Sequence, residues 1–171
     1  CVIAQSIGEY AAVVALNCET DFVGKNEGFV NLTKSILAAA VAAKAKSAEE
    51  VKALQINGQT IADLIVEESG KTGEKMELGA FEYVEAPATI AYNHFGNKLA
   101  TLVAFNKAGL DEQVYKNVAM QVAAMNPIAV DEDGVSEEIK QTEINVAIEK
   151  TKAELVQKAV DAALNKAGIN P

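Results

Sequence analysis

The sequence predicts an α+β fold in which antiparallel β-hairpins form a small sheet packed with helices. Two stretches, residues 2–16 and 89–105, each hold two short apolar segments separated by a turn, which is typical of β-hairpins. Alanine-rich segments with apolar residues at helical spacing follow each stretch. Strands joined by short turns pair antiparallel, so we expect these two stretches to form β-hairpins. We expect the alanine-rich segments to form helices, and the chain to end in a long C-terminal helix.

The first hairpin is predicted from strands at residues 2–6 and 11–16, with a turn at 7–10. The loop at residues 17–29 then leads into a predicted helix at 29–43. One face of that helix carries apolar side chains, namely Phe29, Leu32, Ile36, Ala39 and Ala43.

Two shorter helices are predicted between the hairpins. Ser47 followed by Glu50 forms a capping box that starts a short helix ending at Leu54. Asn57-Gly58 indicates a turn, and a helix is expected over residues 60–69, with Gly70 as its C-cap. A short strand at 81–84 leads to the second hairpin.

The second hairpin, with strands at 89–92 and 99–105, resembles the first in sequence. Ile3-Ala4 matches Ile90-Ala91, and residues 14–17 match 103–106. The following helix again has one apolar face, formed by Val114, Val118, Val122 and Met125. Two explanations stay open: duplication of a hairpin–helix unit, or chance similarity between strands rich in Val and Ala.

The last third of the sequence is predicted to be helical. Pro127 ends the preceding helix, and Ser136 opens a long helix that extends toward Ala167. An apolar stripe on it is formed by Ile144, Ile148, Leu155 and Ala159. We divide the chain into an α+β subdomain at 1–109 and an incomplete, helical second subdomain at 110–171. The sequence begins without Met, so we expect a fragment of a longer protein.

Composition argues against several classes of partner. The formal net charge is −9 and the pI is about 4.7. Binding to nucleic acid depends on clustered Lys and Arg, so we expect neither direct nucleic-acid binding nor an anionic membrane surface as partner. No apolar run reaches the roughly 20 residues that span a bilayer. Two cysteines make no disulfide framework and favour a cytoplasmic location.

No enzyme site, metal or cofactor is expected. Cys18 and His94 could form a nucleophile pair, or be a half-buried thiol and a surface turn histidine. The acidic loop at 131–134 lacks the ligand spacing of a calcium loop. Gly70-Lys71-Thr72 ends a predicted helix, whereas a phosphate-binding loop precedes one.

Asp21 and Phe22 allow two interpretations. Asp21 could cap the following helix while Phe22 folds back on its first turn as a hydrophobic staple. Alternatively, Phe22 protrudes and fills a pocket on a partner protein.

A family resemblance rests on four segments spread over most of the chain. They are Asn17-Cys18-Glu19-Thr20-Asp21-Phe22-Val23 with Phe29, Gly73-Glu74-Lys75-Met76, Tyr92-Asn93-His94 with Leu99-Ala100-Thr101-Leu102-Val103, and Ala119-Met120-Gln121-Val122-Ala123-Ala124 with Pro127. Together they closely resemble the bacterial elongation factor Ts family. The resemblance implies the central part of that family's chain, with the terminal helix as the start of its coiled-coil arm.

The resemblance implies guanine-nucleotide exchange on elongation factor Tu, in both its GDP-bound and nucleotide-free states, during protein synthesis. It implies that Phe22 wedges between helices of that partner, near the magnesium and phosphate site, without any covalent chemistry. The implied contact residues are Thr20, Asp21, Phe22, Val23, Leu99, Ala100 and Gln121. The alternative is a module that binds a partner through the same loop without causing exchange.

The sequence departs from the family pattern at two of these places. Lys98-Leu99-Ala100 stands where the family usually has Arg, Ile or Val, and Gly. Gln121 stands where the family has a histidine. Neither departure changes the Phe22 position.

Overall fold

The computed structural model describes residues 1–168 and confirms the α+β class. The last three residues of the predicted subdomain 110–171 lie outside the described part. The chain forms two compact units, Cys1–Asn126 and Pro127–Pro171, each described by itself below. The subdomain boundary that we predict after residue 109 stays a prediction.

The first unit contains seven strands and five helices within its described residues. In chain order they are β1 Val2–Ile7, β2 Tyr10–Asn17, α1 Asp21–Gly24, α2 Glu27–Ala43, α3 Ala48–Ala53, β3 Gln55–Ile56, β4 Gln59–Thr60, α4 Ile61–Thr72, β5 Glu77–Glu85, β6 Ala88–Asn93, β7 Ala100–Phe105 and α5 Glu112–Met125.

Three antiparallel strands form the main sheet, in the order β1-β2-β5. The central strand β2 has almost no polar side chain, because α2 packs against the β1–β2 hairpin. The core is built from aromatic and branched aliphatic side chains that are fully buried, namely Tyr10, Val14, Leu16, Phe29, Ile36, Val51 and Ile61. The predicted first hairpin and its helix are thus confirmed, with slightly longer elements.

The region between α2 and β5 contains one correction. Gly70 lies inside α4, and the helix ends at Thr72 with Gly73 as its C-cap at φ +72°. The predicted C-cap at Gly70 is wrong, because Lys71 pairs with Glu67 one turn earlier and supports a further turn. The predicted turn at Asn57-Gly58 is confirmed, and it joins the two-residue strands β3 and β4.

The second hairpin pairs in the same register as the first. Ile3 is opposite Val14 in the β1–β2 hairpin, and the matching residues Ile90 and Val103 are opposite each other in the β6–β7 hairpin. Each hairpin packs against the helix that follows it in sequence, α2 or α5. The repeated hairpin–helix arrangement is therefore a property of the structure.

Helix α5 leaves most of the apolar face expected from its sequence exposed, and of that face only Val122 is half-buried. Val114, Val118 and Met125 are exposed, whereas Ala119 is fully buried. The small Ala119 allows close approach to β7, where the Thr101 hydroxyl donates to the Ala119 carbonyl at 3.0 Å. The helix therefore packs through Ala119, Val122 and Tyr115, whose ring centroid lies 4.6 Å from that of Phe105, while Val114, Val118 and Met125 point outward.

The second unit is dominated by α6, Glu137–Lys166, which begins as predicted with Ser136 as its N-cap. None of its described residues is buried, so Ile144, Ile148 and Leu155 stand exposed along one stripe. The acidic loop is an ordinary capped turn, since the Asp131 carboxylate accepts from the Gly134 amide at 3.2 Å. Within residues 1–168, no helix combines the length and the apolarity needed to cross a bilayer.

Tyr10 joins the sheet to the end of α2. Its ring is buried and stacks on Tyr83 with centroids 5.8 Å apart, and its hydroxyl donates to the Ala45 carbonyl at 2.5 Å. Burial raises the pKa of Tyr10 to about 12, and the nearby Glu85 carboxylate adds to the rise. The neutral hydroxyl is therefore part of the native packing.

We expect Tyr10→Phe to lower the free energy of unfolding by about 1–2 kcal/mol, because the Ala45 carbonyl loses a buried donor. The ordinary tyrosine pKa is 10.0, so the stability contributed by neutral Tyr10 is present below pH 10 and lost as the pH rises toward 12. Urea unfolding at pH 7 and pH 11 measures both effects.

Tyr83→Phe is the control, since the Tyr83 hydroxyl makes no hydrogen bond within the described residues. Equal losses for the two variants at pH 7 would contradict the role assigned to the Tyr10 hydroxyl.

Candidate functional site

The end of β2 positions the loop that contains Phe22. The pairing of β2 with β5 shifts between Ala15 and Leu16, which leaves Gly79 as an extra residue on β5. A Cβ atom at Gly79 would lie 2.1 Å from the Asn17 side-chain Nδ2 atom, so a larger residue at position 79 would require the exposed Asn17 side chain to move. This bulge bends the strand pair where the chain enters the loop.

The loop contains a short helix that presents Phe22. Thr20 is the N-cap of α1, with its hydroxyl accepting from the Val23 amide at 3.4 Å. Asp21 is the first helical residue, so the prediction of Asp21 as a cap is wrong. Val23 is half-buried against the core, whereas Phe22 is 89% exposed. The hydrophobic-staple interpretation is therefore wrong as well, and Phe22 points into solvent.

The Glu74 carboxylate fastens the loop to the segment after α4. One carboxylate oxygen accepts from the backbone amides of Glu19, at 3.1 Å, and Thr20, at 3.0 Å. The other oxygen accepts a short hydrogen bond from the Thr20 hydroxyl. In return, the Glu19 carboxylate accepts from the Lys75 amide at 3.2 Å. Four hydrogen bonds thus fix the two residues before α1.

A salt bridge connects this loop to the turn between β6 and β7. The Lys98 ammonium lies 3.0 Å from the Asp21 carboxylate, and both side chains are largely exposed. The hydrogen bond and the charge of Lys98, with a smaller contribution from Lys25, lower the pKa of Asp21. The predicted site residues 20–23 and 99–100 therefore lie on two segments that this salt bridge joins.

The other predicted residues lie as follows. Leu99 is exposed at the end of the turn, and Ala100 is half-buried at the start of β7. Gln121 is exposed on α5. Among the described residues, no hydrogen bond or ion pair joins Gln121 to the Phe22 loop.

A polar cleft of about 430 Å³ separates the Phe22 loop from the β6–β7 turn. Cys18, Asp21 and Lys25 line one side, and Gly96 and Lys98 line the other. Across residues 1–168, no three His, Cys, Asp or Glu side chains are grouped so that they could hold a metal ion. The cleft is lined by both acidic and basic side chains.

Cys18 and His94 do not form a nucleophile pair. The Cys18 thiol donates to the Thr20 carbonyl at 3.3 Å, and the His94 Nδ1 atom is 2.9 Å from the Tyr92 hydroxyl. Neither hydrogen bond connects the two residues. The thiol helps to shape the loop, which agrees with the structural interpretation of both side chains.

Comparison with known proteins identifies the family. The family model described as Elongation factor TS matches residues 19–168. The chain belongs to the elongation factor Ts family. The matched range includes Phe22, Glu74, Lys98 and α6.

Curated relatives named Elongation factor Ts support the assignment. The protein from Bacteroides thetaiotaomicron is 61% identical over 172 aligned positions, which cover 100% of this chain and 52% of the relative. The protein from Parabacteroides distasonis is 59% identical with the same coverage. The protein from Porphyromonas gingivalis is 49% identical over 151 positions, covering 88% of this chain and 55% of the relative. The chain spans about half the length of these relatives.

Two residues of the site were not identified from the sequence. Glu74 belongs to a segment that carries the resemblance, but its position 54 residues from Thr20 gives no sign of a contact. In the sequence, Lys98 stands out only because it replaces the arginine usual in the family. The sequence shows only that these two charged side chains lie near the ends of predicted elements. It does not show which residues they contact.

We expect Glu74→Ala to release the loop before α1, because the Glu19 and Thr20 amides lose their acceptor. Hydrogen exchange followed by NMR should show both amides exchanging several-fold faster. The Thr20 hydroxyl bond lowers the pKa of Glu74. In the wild type, protection should therefore persist to pH values below the usual 4.5 and disappear only as the pH falls through the depressed pKa.

Glu77→Ala is the control, since Glu77 lies on the adjacent β5 and pairs with Lys75 at 3.2 Å. Unchanged hydrogen exchange of the Glu19 and Thr20 amides in Glu74→Ala would contradict the role of Glu74 in fixing the loop.

We expect Lys98→Met to raise the pKa of Asp21 toward its ordinary value of 3.8, because Lys98 is the main cause of the depression. Titration of the Asp21 carboxyl carbon by NMR measures the change. The contribution of the charged pair is present above pH 3.8 and is lost as the pH falls through the depressed pKa. Lys25→Met should produce a smaller rise, and a larger rise than for Lys98→Met would reverse the assignment.

Proposed function

We propose that this chain acts in translation elongation as part of a guanine-nucleotide exchange factor for elongation factor Tu. Membership of the elongation factor Ts family supports this role. The observation that carries the proposal is Phe22, an exposed aromatic side chain on a loop fixed by Glu74, Thr20 and Lys98. A protein that performs this task binds and rearranges its partner, so we propose no covalent catalysis.

The fixed loop favours Phe22 as the contact that drives exchange. An aromatic side chain buried in a partner's pocket contributes strongly to binding when its backbone is already ordered, because less conformational entropy is lost on association. Val23 holds α1 against the core while Phe22, the preceding residue, points outward. We propose that Phe22 inserts near the magnesium and phosphate site of elongation factor Tu, with Thr20, Asp21 and Val23 supporting the insertion.

Exchange requires that the factor bind nucleotide-free elongation factor Tu more tightly than the GDP-bound form. A ligand shifts an equilibrium only by its difference in affinity for the two states. By reciprocity, GDP must weaken binding of the factor by the same ratio. Leu99, Ala100 and Gln121 remain proposed secondary contacts.

A binding module without exchange activity is the alternative, and the same exposed Phe22 would serve it. The two proposals differ in nucleotide release. Docking alone leaves the GDP release rate of elongation factor Tu unchanged, whereas exchange accelerates it.

We expect Phe22→Ala in the complete protein to reduce the acceleration of GDP release roughly 10-fold or more, the usual cost of truncating an interface hot spot. Stopped-flow release of fluorescent GDP from elongation factor Tu provides the measurement. The reason is the loss of the side chain that we propose enters the partner.

Ile7→Ala is the matched control. It removes apolar side-chain atoms from a residue that is also exposed, at the opposite end of the β1–β2 hairpin from the loop. Full acceleration by Phe22→Ala would move the mechanism to other residues. Binding of the wild type without acceleration would support the docking alternative.

A further inference from the structure

A second phenylalanine is exposed beside the Phe22 loop. Phe95 lies in the turn between β6 and β7 and is 98% exposed. By contrast, Phe29 and Phe81 are buried in the core. An aromatic side chain that stays in water contributes little to the free energy of folding. It can contribute to binding when a partner buries it.

The turn that carries Phe95 has a defined backbone. The His94 amide donates to the Leu99 carbonyl at 2.9 Å, and the Asn97 amide donates to the His94 carbonyl at 3.2 Å. Gly96 and Asn97 take left-handed conformations, at φ +89° and +54°, which both residue types tolerate. Phe95 is thus presented by an ordered turn.

Asn93 attaches the base of this turn to the main sheet. Its side-chain oxygen accepts from the Ala4 amide at 2.7 Å, and its side-chain nitrogen donates to the Ala4 carbonyl at 2.9 Å. The backbones of β1 and β6 are not paired with each other, and the Asn93 side chain bonds to the β1 backbone in place of a strand. The position of Phe95 is therefore fixed relative to the strand pair that leads to Phe22.

The Lys98–Asp21 salt bridge then connects the two exposed phenylalanines. Asp21 directly precedes Phe22, and Lys98 is three residues after Phe95. Asp21 from one loop and Gly96 and Lys98 from the other also line the same polar cleft.

The repeated architecture shows that the turn bearing Phe95 is an elaboration. In the first hairpin two residues, Gly8 and Glu9, separate the last paired residues Ile7 and Tyr10. In the second hairpin the equivalent positions are His94 and Leu99, and four residues lie between them. Phe95 belongs to this longer turn, which extends the hairpin at the end where Phe22 lies.

We propose that Phe95 is a second apolar anchor for elongation factor Tu, on the surface that continues from Phe22. This inference rests on the proposed function, which supplies the partner. In this proposal Phe95 contributes to affinity, while Phe22 contributes to the maximal rate of release. Interactions that are equal in two states change binding without changing the conversion between them.

The test uses the complete protein and its Phe95→Ala, Phe22→Ala and Ile7→Ala variants. GDP release from elongation factor Tu is followed by stopped flow over a range of factor concentrations, at fixed ionic strength. For Phe95→Ala we expect the half-saturating concentration to rise at least about fivefold, which corresponds to the loss expected for an anchoring side chain. The rate at saturation should stay within about twofold of the wild type, whereas Phe22→Ala lowers it.

The outcomes separate this inference from the proposed function. Acceleration by the wild type supports the proposed function, and a half-saturating concentration for Phe95→Ala equal to that of Ile7→Ala would overturn the inference alone. Absence of acceleration and binding by the wild type would overturn both. A lower saturating rate for Phe95→Ala would overturn its assignment to affinity. Light scattering of the factor alone tests a second copy as occupant: dimers that Phe95→Ala dissociates, with binding to elongation factor Tu unchanged, would also overturn the inference.

Discussion

Strand β2 is hydrogen-bonded on both sides, to β1 and to β5, and packs against α2. At one end of β2 the Tyr10 hydroxyl donates a hydrogen bond to the Ala45 carbonyl, and near the other end Leu16 is buried in the core. Burying an unpaired strand of this kind would leave polar backbone groups unsatisfied, so both neighbours are needed. The backbone at the end of β2 is therefore held by a neighbouring strand on each side, and the Phe22 loop starts there.

The candidate site depends on a few polar contacts made between distant parts of the sequence. Glu74 holds Thr20 from the segment after α4, Asn93 holds Ala4 from the end of β6, and Lys98 holds Asp21 from the next turn. Each contact joins two segments that are far apart in the sequence. The exposed aromatic side chains therefore stand on supports that are already formed before any partner binds, which reduces the entropic cost of association.

The two hairpin–helix arrangements share a register but differ in what surrounds them. The first hairpin gains β5 as a third strand and buries its helix face with Phe29 and Ile36. The second remains two-stranded and packs through the small Ala119, which leaves larger apolar residues of α5 exposed. The same local plan thus gives a stable core in one place and an accessible surface in the other.

The sequence alone determined the element types, because apolar periodicity and turn residues act over a few positions: the first hairpin, the Asn57-Gly58 turn and the Ser136 cap follow from it. It also identified the family. The sequence contains two glycines that could end α4, and the prediction chose Gly70. In the structure Gly73 takes the left-handed conformation that ends the helix. The clamp by Glu74 and the meeting of Lys98 with Asp21 were decided only by tertiary structure, since hydrogen bonds between residues more than 50 positions apart leave no periodic trace in a single sequence.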